Sequence, residues 1–459
     1  MNMENTPVER IPQIVAAQRR FFGSGATLDI KFRREALKRL AKALDHWEKP
    51  LAEALWMDLH KSYQEAYLTE LSIVKGEVRT HLRNLHRWMR PQRVCTPIKM
   101  MPSRSRVVSE PLGTTLIISP WNYPVQLLLN PLVGALSAGC TAVLKPSPYV
   151  PNVSRVLGEM IESTFSPEHV AVVQGNRTVN AALLEERWDL IFFTGSPALG
   201  RTVMAAAARN LTPVVLELGG KSPCIVDAEA DIEVAAKRIA WGKSLNAGQT
   251  CIAPDYLLVH SSVKERFVKA LEKQFRKLLT DNPQKATHFV RMVSDRAWER
   301  VTGYLAEGKV LFGGGANRAE RYIEPTVVEV GPESRIMQEE IFGPVFPLLT
   351  FDDTDEAVRF VVEREKPLAL YYFGCECKAA RVIRHTSSGG ACINDTIMHI
   401  ANENLPFGDV GNSGMGTYHG RLSYDAFSHR RAVVYTPTWL DLPFRYMPYK
   451  WFKIVKGLL

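Results

Sequence analysis

The chain has 459 residues, 46% of them hydrophobic and 23% charged, the composition of an ordinary soluble globular protein. At this length a single core has usually split, so two or three domains are expected. The sequence lacks the apolar run of about 18 residues that a transmembrane helix needs, and Met1 to Arg20 mixes Glu with Arg, unlike a secretory signal. Seven scattered cysteines in a chain too large to need staples point to reduced thiols in a cytoplasm. The net charge of +9 admits an anionic partner. The basic residues are spread out, however, and carry no nucleic-acid-binding signature, so no nucleic acid partner is expected.

In chain order, Lys31 to Leu59 shows apolar residues at three- and four-residue spacings, a helical pattern. A second helical stretch runs from Glu65 to about Trp88. Pro91 to Ser109 then reads as an extended arm, with Arg106-Val107-Val108 β-like. Strands follow at Thr114 to Ser119, Thr141 to Leu144, Val170 to Val173 and Asp189 to Phe193. Helices alternate with them at Pro131 to Gly139, Ser154 to Ser163 and Ala198 to Ala207. Such alternation implies βαβ units and a parallel sheet. Pro213 to Leu218 and Pro223 to Val226 open a second series, with helices around Ala235 and Phe267, so two α/β domains are expected to meet near residue 210.

Among the cysteines, Cys140, Cys224 and Cys392 have apolar surroundings and read as small buried hydrophobes. Cys375 and Cys377 form a C-x-C without a second Cys or His pair at zinc spacing, so no metal is expected. Cys251 differs. It ends Asn246-Ala247-Gly248-Gln249-Thr250, a small polar turn whose N–H groups are expected to lower the cost of a thiolate. A thiolate attacks carbonyl carbon well. Glu217 closes the apolar run Val214-Val215-Leu216 before Gly219-Gly220. It is either pinned to backbone N–H groups or aimed into a cleft, where a raised pKa suits a base for water. Asn122 lies between Pro120 and Pro124, either satisfying a turn or holding an amide N–H rigid for an oxyanion. Phe193 to Gly200 reads as strand, Gly loop and helix start, a weak dinucleotide signal. Lys145, in Lys145-Pro146-Ser147, stands at a strand end within reach of a ribose or phosphate, and Gly313-Gly314-Gly315 reads as a plain loop.

Together these segments resemble the aldehyde dehydrogenase superfamily, most closely its class 3 branch of fatty and aromatic aldehyde dehydrogenases. The matching motifs are Pro120-Trp121-Asn122-Tyr123-Pro124, Leu144 to Ser147, Phe193 to Ser196, Leu216 to Pro223 and Gly248 to Cys251. Further on come Glu339 to Pro344, Leu405 to Gly408 and the class 3 motif Gly411 to Gly416 with Tyr418-His419-Gly420. The resemblance runs along nearly the whole chain in order. It implies an α/β fold with a Rossmann-like cofactor domain (1–90 and 111–212), an α/β catalytic domain (213–405), a small β oligomerisation arm (91–110 and 427–440) and a C-terminal amphipathic tail (441–459).

The implied chemistry is NAD(P)-dependent oxidation of an aldehyde to an acid. Cys251 would be the nucleophile, Asn122 and the Cys251 N–H the oxyanion hole, and Glu217 the base that activates water on a thioester. Lys145 would meet the adenosine ribose, and Gly195, Ser196 and Gly200 the pyrophosphate. Glu340 and Phe342 would meet the nicotinamide ribose and ring, while Tyr67, Tyr123 and Phe407 would line the aldehyde tunnel. Medium-to-long aliphatic or aromatic aldehydes are expected, and a homodimer joined where the arm pairs with a strand around Ala432 to Tyr435.

Two positions depart from the family. Pro148 stands where a Glu often holds the ribose 2′-hydroxyl, which removes a barrier to NADP and implies use of both NAD and NADP. Asp409 replaces the usual Gly after Pro-Phe-Gly, a change for which the sequence supplies no role. Pro448 to Leu459 is amphipathic. It is expected to cap the substrate funnel or pack on a partner subunit, in preference to lying on an anionic membrane, which three lysines anchor weakly. A CoA-acylating enzyme would need no Glu217, and a non-catalytic structural relative would not need Cys251 and Glu217 together.

Overall fold

Two parallel sheets organise the chain. The structure, a computed structural model, describes residues 5–441, 443 and 446–458. In the first sheet the spatial order is Gly414–Met415, Val214–Glu217, Leu190–Thr194, Thr114–Ile118, Thr141–Lys145, Val170–Val172. All neighbours run parallel except Gly414–Met415, which pairs antiparallel with Val214–Glu217. These strands are continuous apolar runs because helices cover both faces. The chain moves outward in one direction from Thr114–Ile118 and then returns to its other side with Leu190–Thr194. A switch point is thereby created where ligands settle outside the carboxyl ends of strands.

The second sheet has the order Lys309–Phe312, Thr326–Glu329, Val345–Phe351, Tyr256–His260, Pro223–Val226, Ala369–Phe373, Gly390–Ile393. Only Lys309–Phe312 is antiparallel to its neighbour. Strand Val214–Glu217 hydrogen-bonds in the first sheet and Pro223–Val226 in the second. The change of sheet therefore falls after Glu217, across the Gly219-Gly220 turn, and not near residue 210. An apolar run does not show which sheet will claim it.

The expected helix from Lys31 to Leu59 is two helices, Ile30–His46 and Glu48–Leu59. Pro50 cannot donate to the preceding turn and its ring crowds the carbonyl four residues back, so the chain breaks at Trp47. The helix expected from Pro131 starts earlier, as Gln126–Ala138, with Pro131 inside it. The arm forms a three-stranded antiparallel sheet of Gln92–Val94, Arg104–Pro111 and Ser428–Tyr435, in register from Arg104 opposite Tyr435 to Pro111 opposite Ser428; the expected pairing is thus made within one chain and does not itself join two subunits. Near the end of the chain lies the short helix Phe452–Leu458, with Trp451 and Phe452 exposed; Leu459, in the expected tail, falls outside the described residues. Among the described residues no helix is long and apolar enough to cross a membrane.

Candidate active site

The carboxyl ends of the first sheet and the amino ends of the second supply one cluster of loops. Asn122 follows Thr114–Ile118, Lys145 ends Thr141–Lys145, and Glu217 ends Val214–Glu217. From the second sheet, Cys251 precedes Tyr256–His260, Glu340 precedes Val345–Phe351, and Leu368 precedes Ala369–Phe373. Between them lies a cavity of about 580 Å³, lined by Cys251, Glu217, Thr194, Tyr123, Phe407 and Tyr418 together with apolar groups such as Leu127, Trp241 and Ile400.

The cysteine loop is held in a bent conformation. Asn246, Ala247 and Gly248 all take positive φ, of 50°, 52° and 73°. The Asn246 amide donates to the carbonyls of Asn122 (3.0 Å) and Gln249 (2.9 Å), and its N–H donates to Glu65 Oε1 at 2.7 Å. Gln249 binds the Asn246 and Arg291 carbonyls and accepts from the Val293 N–H. Cys251 is half-buried and faces the cavity. Its thiol is not eased toward ionisation as the Gly-containing turn suggests. Burial, then the carboxyls of Glu340, Glu217 and Asp409, push it up, and only the Ile252 N–H opposes them. Those carboxyls come from distant parts of the chain, so the local sequence carries no sign of them.

Glu217 is buried, and among the described residues only the Asp409 carboxyl meets its oxygens. Burial raises it well above the ordinary carboxylate range, and the neighbouring Asp409 adds to the rise. Asn122 is buried too, and its amide donates to the Gln249 carbonyl at 3.1 Å, which sets it two residues from Cys251. The Tyr123 hydroxyl meets Thr250 Oγ1 at 2.7 Å. Tyr67, expected in the tunnel, is absent from the cavity lining. Residues Tyr67–Leu71 form a π turn, which presents Leu68 and Thr69 to the cavity and leaves Tyr67 beside Tyr63 (6.3 Å between rings) and under the Lys75 ammonium.

A second group of loops around the switch point fits a dinucleotide. Ser119 Oγ and Thr194 Oγ1 are buried there without partners. Ser196 caps the helix Pro197–Ala208, in whose first turn Gly200 lies and just before which Gly195 stands, so the positive end of the helix faces the cleft. The Lys145 amine binds only the Pro146 carbonyl (2.8 Å), and burial lowers its pKa to about 8. Glu340 is raised to about 8 by burial and the Asp255 charge, against the Gly220 N–H that it accepts. A Cβ at Gly219 would stand 2.2 Å from Glu340 Oε2, so only glycine admits this carboxyl. Lys221 bonds Asp255 (2.5 Å) and the carbonyls of Ile336 and Glu339, while Asp255 accepts the Ile341 N–H, fixing the Glu340 loop. Phe342, at φ 50°, meets Trp121 edge-on at 5.4 Å.

The sequence reading did not identify Lys61, Glu65 and Glu70. Lys61 and Glu70 form a fully buried ion pair at 2.6 Å. The Lys61 ammonium also donates to the Asn122 carbonyl (3.0 Å), and Glu70 accepts the N–H groups of Val125 and Gln126, capping the helix Gln126–Ala138 from another element. The pair thus clamps the loop that carries Asn122. In Lys61→Met, Glu70 remains buried without its cation, and urea unfolding is expected to show a loss of about 3–5 kcal/mol. A change below about 1 kcal/mol would mean that the clamp is dispensable.

With that geometry in place, comparison with known proteins identifies the chain. Residues 1–433 match the model of the aldehyde dehydrogenase family. The chain is 46% identical to 4,4'-diaponeurosporen-aldehyde dehydrogenase of Staphylococcus aureus, over 95% of this chain and 96% of that one. It is 41% identical to a dog protein named aldehyde dehydrogenase, dimeric NADP-preferring, over 96% and 98% of the two chains. The structure of the substrate-bound state of Staphylococcus aureus AldH superposes with a TM-score of 0.96 at 45% identity, covering 98% of this chain and 99% of that one. The fold is that of oxidoreductases acting on aldehydes with NAD(P). The chain belongs to the aldehyde dehydrogenase family, in a class 3-like branch, and oxidises aldehydes to carboxylic acids.

Proposed function

We propose that the aldehyde enters the apolar cavity, is attacked by Cys251, and leaves as an acid after Glu217 activates water on a Cys251 thioester. The observation that carries this reading is one cavity lined by a thiol and a buried carboxyl. Once its thiol proton has passed to solvent, the Cys251 sulfur adds to the carbonyl carbon, and the developing oxyanion is met by the Asn122 amide and the Cys251 N–H. NAD(P), when bound, would supply the hydride acceptor for oxidation at this carbon. Lys145, Ser196 and the Gly195–Gly200 turn would hold its phosphates and adenosine ribose, and Glu340 and Phe342 its nicotinamide end. Glu217 then takes a proton from water as its oxygen adds to the thioester carbon, and the C–S bond breaks.

The substrate class follows from the wall of the cavity. Its described lining contains Glu65, Glu217 and His288 but no Lys or Arg, so nothing there pairs with a carboxylated semialdehyde. Medium-to-long aliphatic or aromatic aldehydes fit, and the Staphylococcus aureus relative is named for a long apolar one. Pro148, half-buried where an acidic residue would bar a 2′-phosphate, supports use of both NAD and NADP. The first sheet serves as the cofactor domain and the second as the catalytic domain. The arm's outer strand Ser428–Tyr435, an unpaired edge with Val433, Val434 and Tyr435 exposed, supports a homodimer. Seven unpaired thiols fit a reducing cytoplasm.

The test follows reduced nicotinamide with each cofactor across aldehydes of increasing chain length. Each methylene buried in the cavity contributes about 0.8 kcal/mol, so kcat/KM is expected to climb about fourfold per carbon until the cavity is filled. Both cofactors are expected to support turnover. Best activity on short carboxylated semialdehydes, or strict exclusion of NADP, would contradict these assignments.

A further inference from the structure

Asp409, which the reaction described above leaves unused, is part of the hydrolytic apparatus. The segment from Asp409 to Gly416 curls back over the end of strand Val214–Glu217. The Asp409 N–H donates to the Gly416 carbonyl (3.3 Å), the Leu218 N–H to the Ser413 carbonyl (2.9 Å), and Gly414 pairs in register with Glu217. Gly414 stands at φ 131°, and a Cβ there would lie 1.9 Å from the Leu216 carbonyl oxygen and 3.0 Å from Asp409 Cγ. This tight return places the Asp409 carboxyl against that of Glu217. All four oxygens are buried without a partner on any other residue in bonding geometry, since the Leu218 N–H near Asp409 is committed to Ser413. Cys251, Tyr418 and, beyond Cys251, Glu340 are the other titratable groups facing the pair. The cations on this loop are Lys366, packed on Gly411, and Arg201, bound to Asn412. Neither compensates the pair.

Two buried carboxyls in contact without a cation cannot both ionise, and they satisfy each other only by holding a proton between them. We propose that Asp409 is a positioning residue that shares one proton with Glu217, so that the base for thioester hydrolysis is the pair and not Glu217 alone. As the water oxygen adds to the thioester carbon, its O–H bond breaks and the proton passes to a Glu217 oxygen. The proton already on Glu217 moves to Asp409. The C–S bond then breaks, the electron pair leaves with the Cys251 sulfur, and both carboxyls end protonated. Burial also raises Asp409, to about 8, against the hydrogen bond from Glu217 that lowers it.

This inference rests on Glu217 being the hydrolytic base, and the experiment separates the two claims. Cys251 is acylated with an aryl ester in the absence of cofactor, and release of the acyl group is followed against pH in wild type, Asp409→Asn and Glu217→Gln. The midpoint of the rising limb does not depend on how much protein has folded. With a proton-sharing partner the first proton leaves the pair at lower pH than it leaves Glu217 alone, while the rise that Asp409 imposes on Glu217 belongs to loss of the second. The Asp409→Asn midpoint is therefore expected about one unit above that of wild type. A midpoint that is unchanged or lower overturns the shared proton, while Glu217→Gln still stalls. Normal release in Glu217→Gln overturns the role of Glu217 itself.

Discussion

Cys251→Ala abolishes aldehyde oxidation with either cofactor, a loss of roughly five orders of magnitude or more, as when other enzymes lose a covalent nucleophile. The cavity offers no substitute. Its other described polar groups are hydroxyls such as Thr250, Tyr123 and Tyr418, the amides of Gln64 and Gln126, His288 and the carboxyls of Glu65 and Glu217, none of which matches a thiolate as a nucleophile toward a carbonyl, and Met398 has no ionisable hydrogen. Cys140 and Cys224 are fully buried in the core, and Cys392 sits against His399 at 3.3 Å outside the lining. The substitution removes one sulfur from a half-buried position, so the protein remains folded and the lost rate is chemical. The pH dependence has a definite sign. Burial, Glu340, Glu217 and Asp409 all favour the neutral thiol, so the pre-steady-state rate of acylation in wild type rises with pH through the neutral range. Residual turnover above a hundredth of wild type in the Ala variant would remove Cys251 from the mechanism.

Glu217→Gln separates the two halves of the reaction. Gln keeps the shape but cannot accept a proton, so one equivalent of reduced nicotinamide should appear in a burst and turnover should then slow about 10²–10⁴-fold. The carboxyl suits its task because burial raises its proton affinity above that of an ordinary carboxylate. Stopped-flow absorbance checks this directly. An unaltered steady state would assign water activation to another group. Absence of the burst would mean that Glu217 acts on the thiol before acylation.

Much of this arrangement is legible in the sequence. The strands of the first sheet stand out because both faces are buried and their runs are apolar throughout, as in Leu190–Thr194. Cys251, Glu217 and Asn122 are marked by the turns that hold them, and the structure brings all three together. Glu65 and Glu70 are not legible. Charged residues in a helical stretch look like a solvated face, and only tertiary packing brings these two against Asn246 and Lys61. Tyr67, placed in the tunnel by the family resemblance, instead opens a π turn that presents Leu68 and Thr69 to the cavity. The direction of the Cys251 shift was hidden because the charges responsible stand at 217, 340 and 409, far apart in the chain. Asp409 was visible as an unusual residue, but its partner became visible only when the segment around Gly414 folded back onto Glu217.

The most direct test of the central claim is the intact mass of Glu217→Gln after one turnover with NAD and a long-chain aldehyde, followed by peptide mapping. The account predicts a single acyl adduct, carried as a thioester on Cys251, in proportion to the burst of reduced nicotinamide. A burst without an adduct, or an adduct mapped to any other residue, would contradict it.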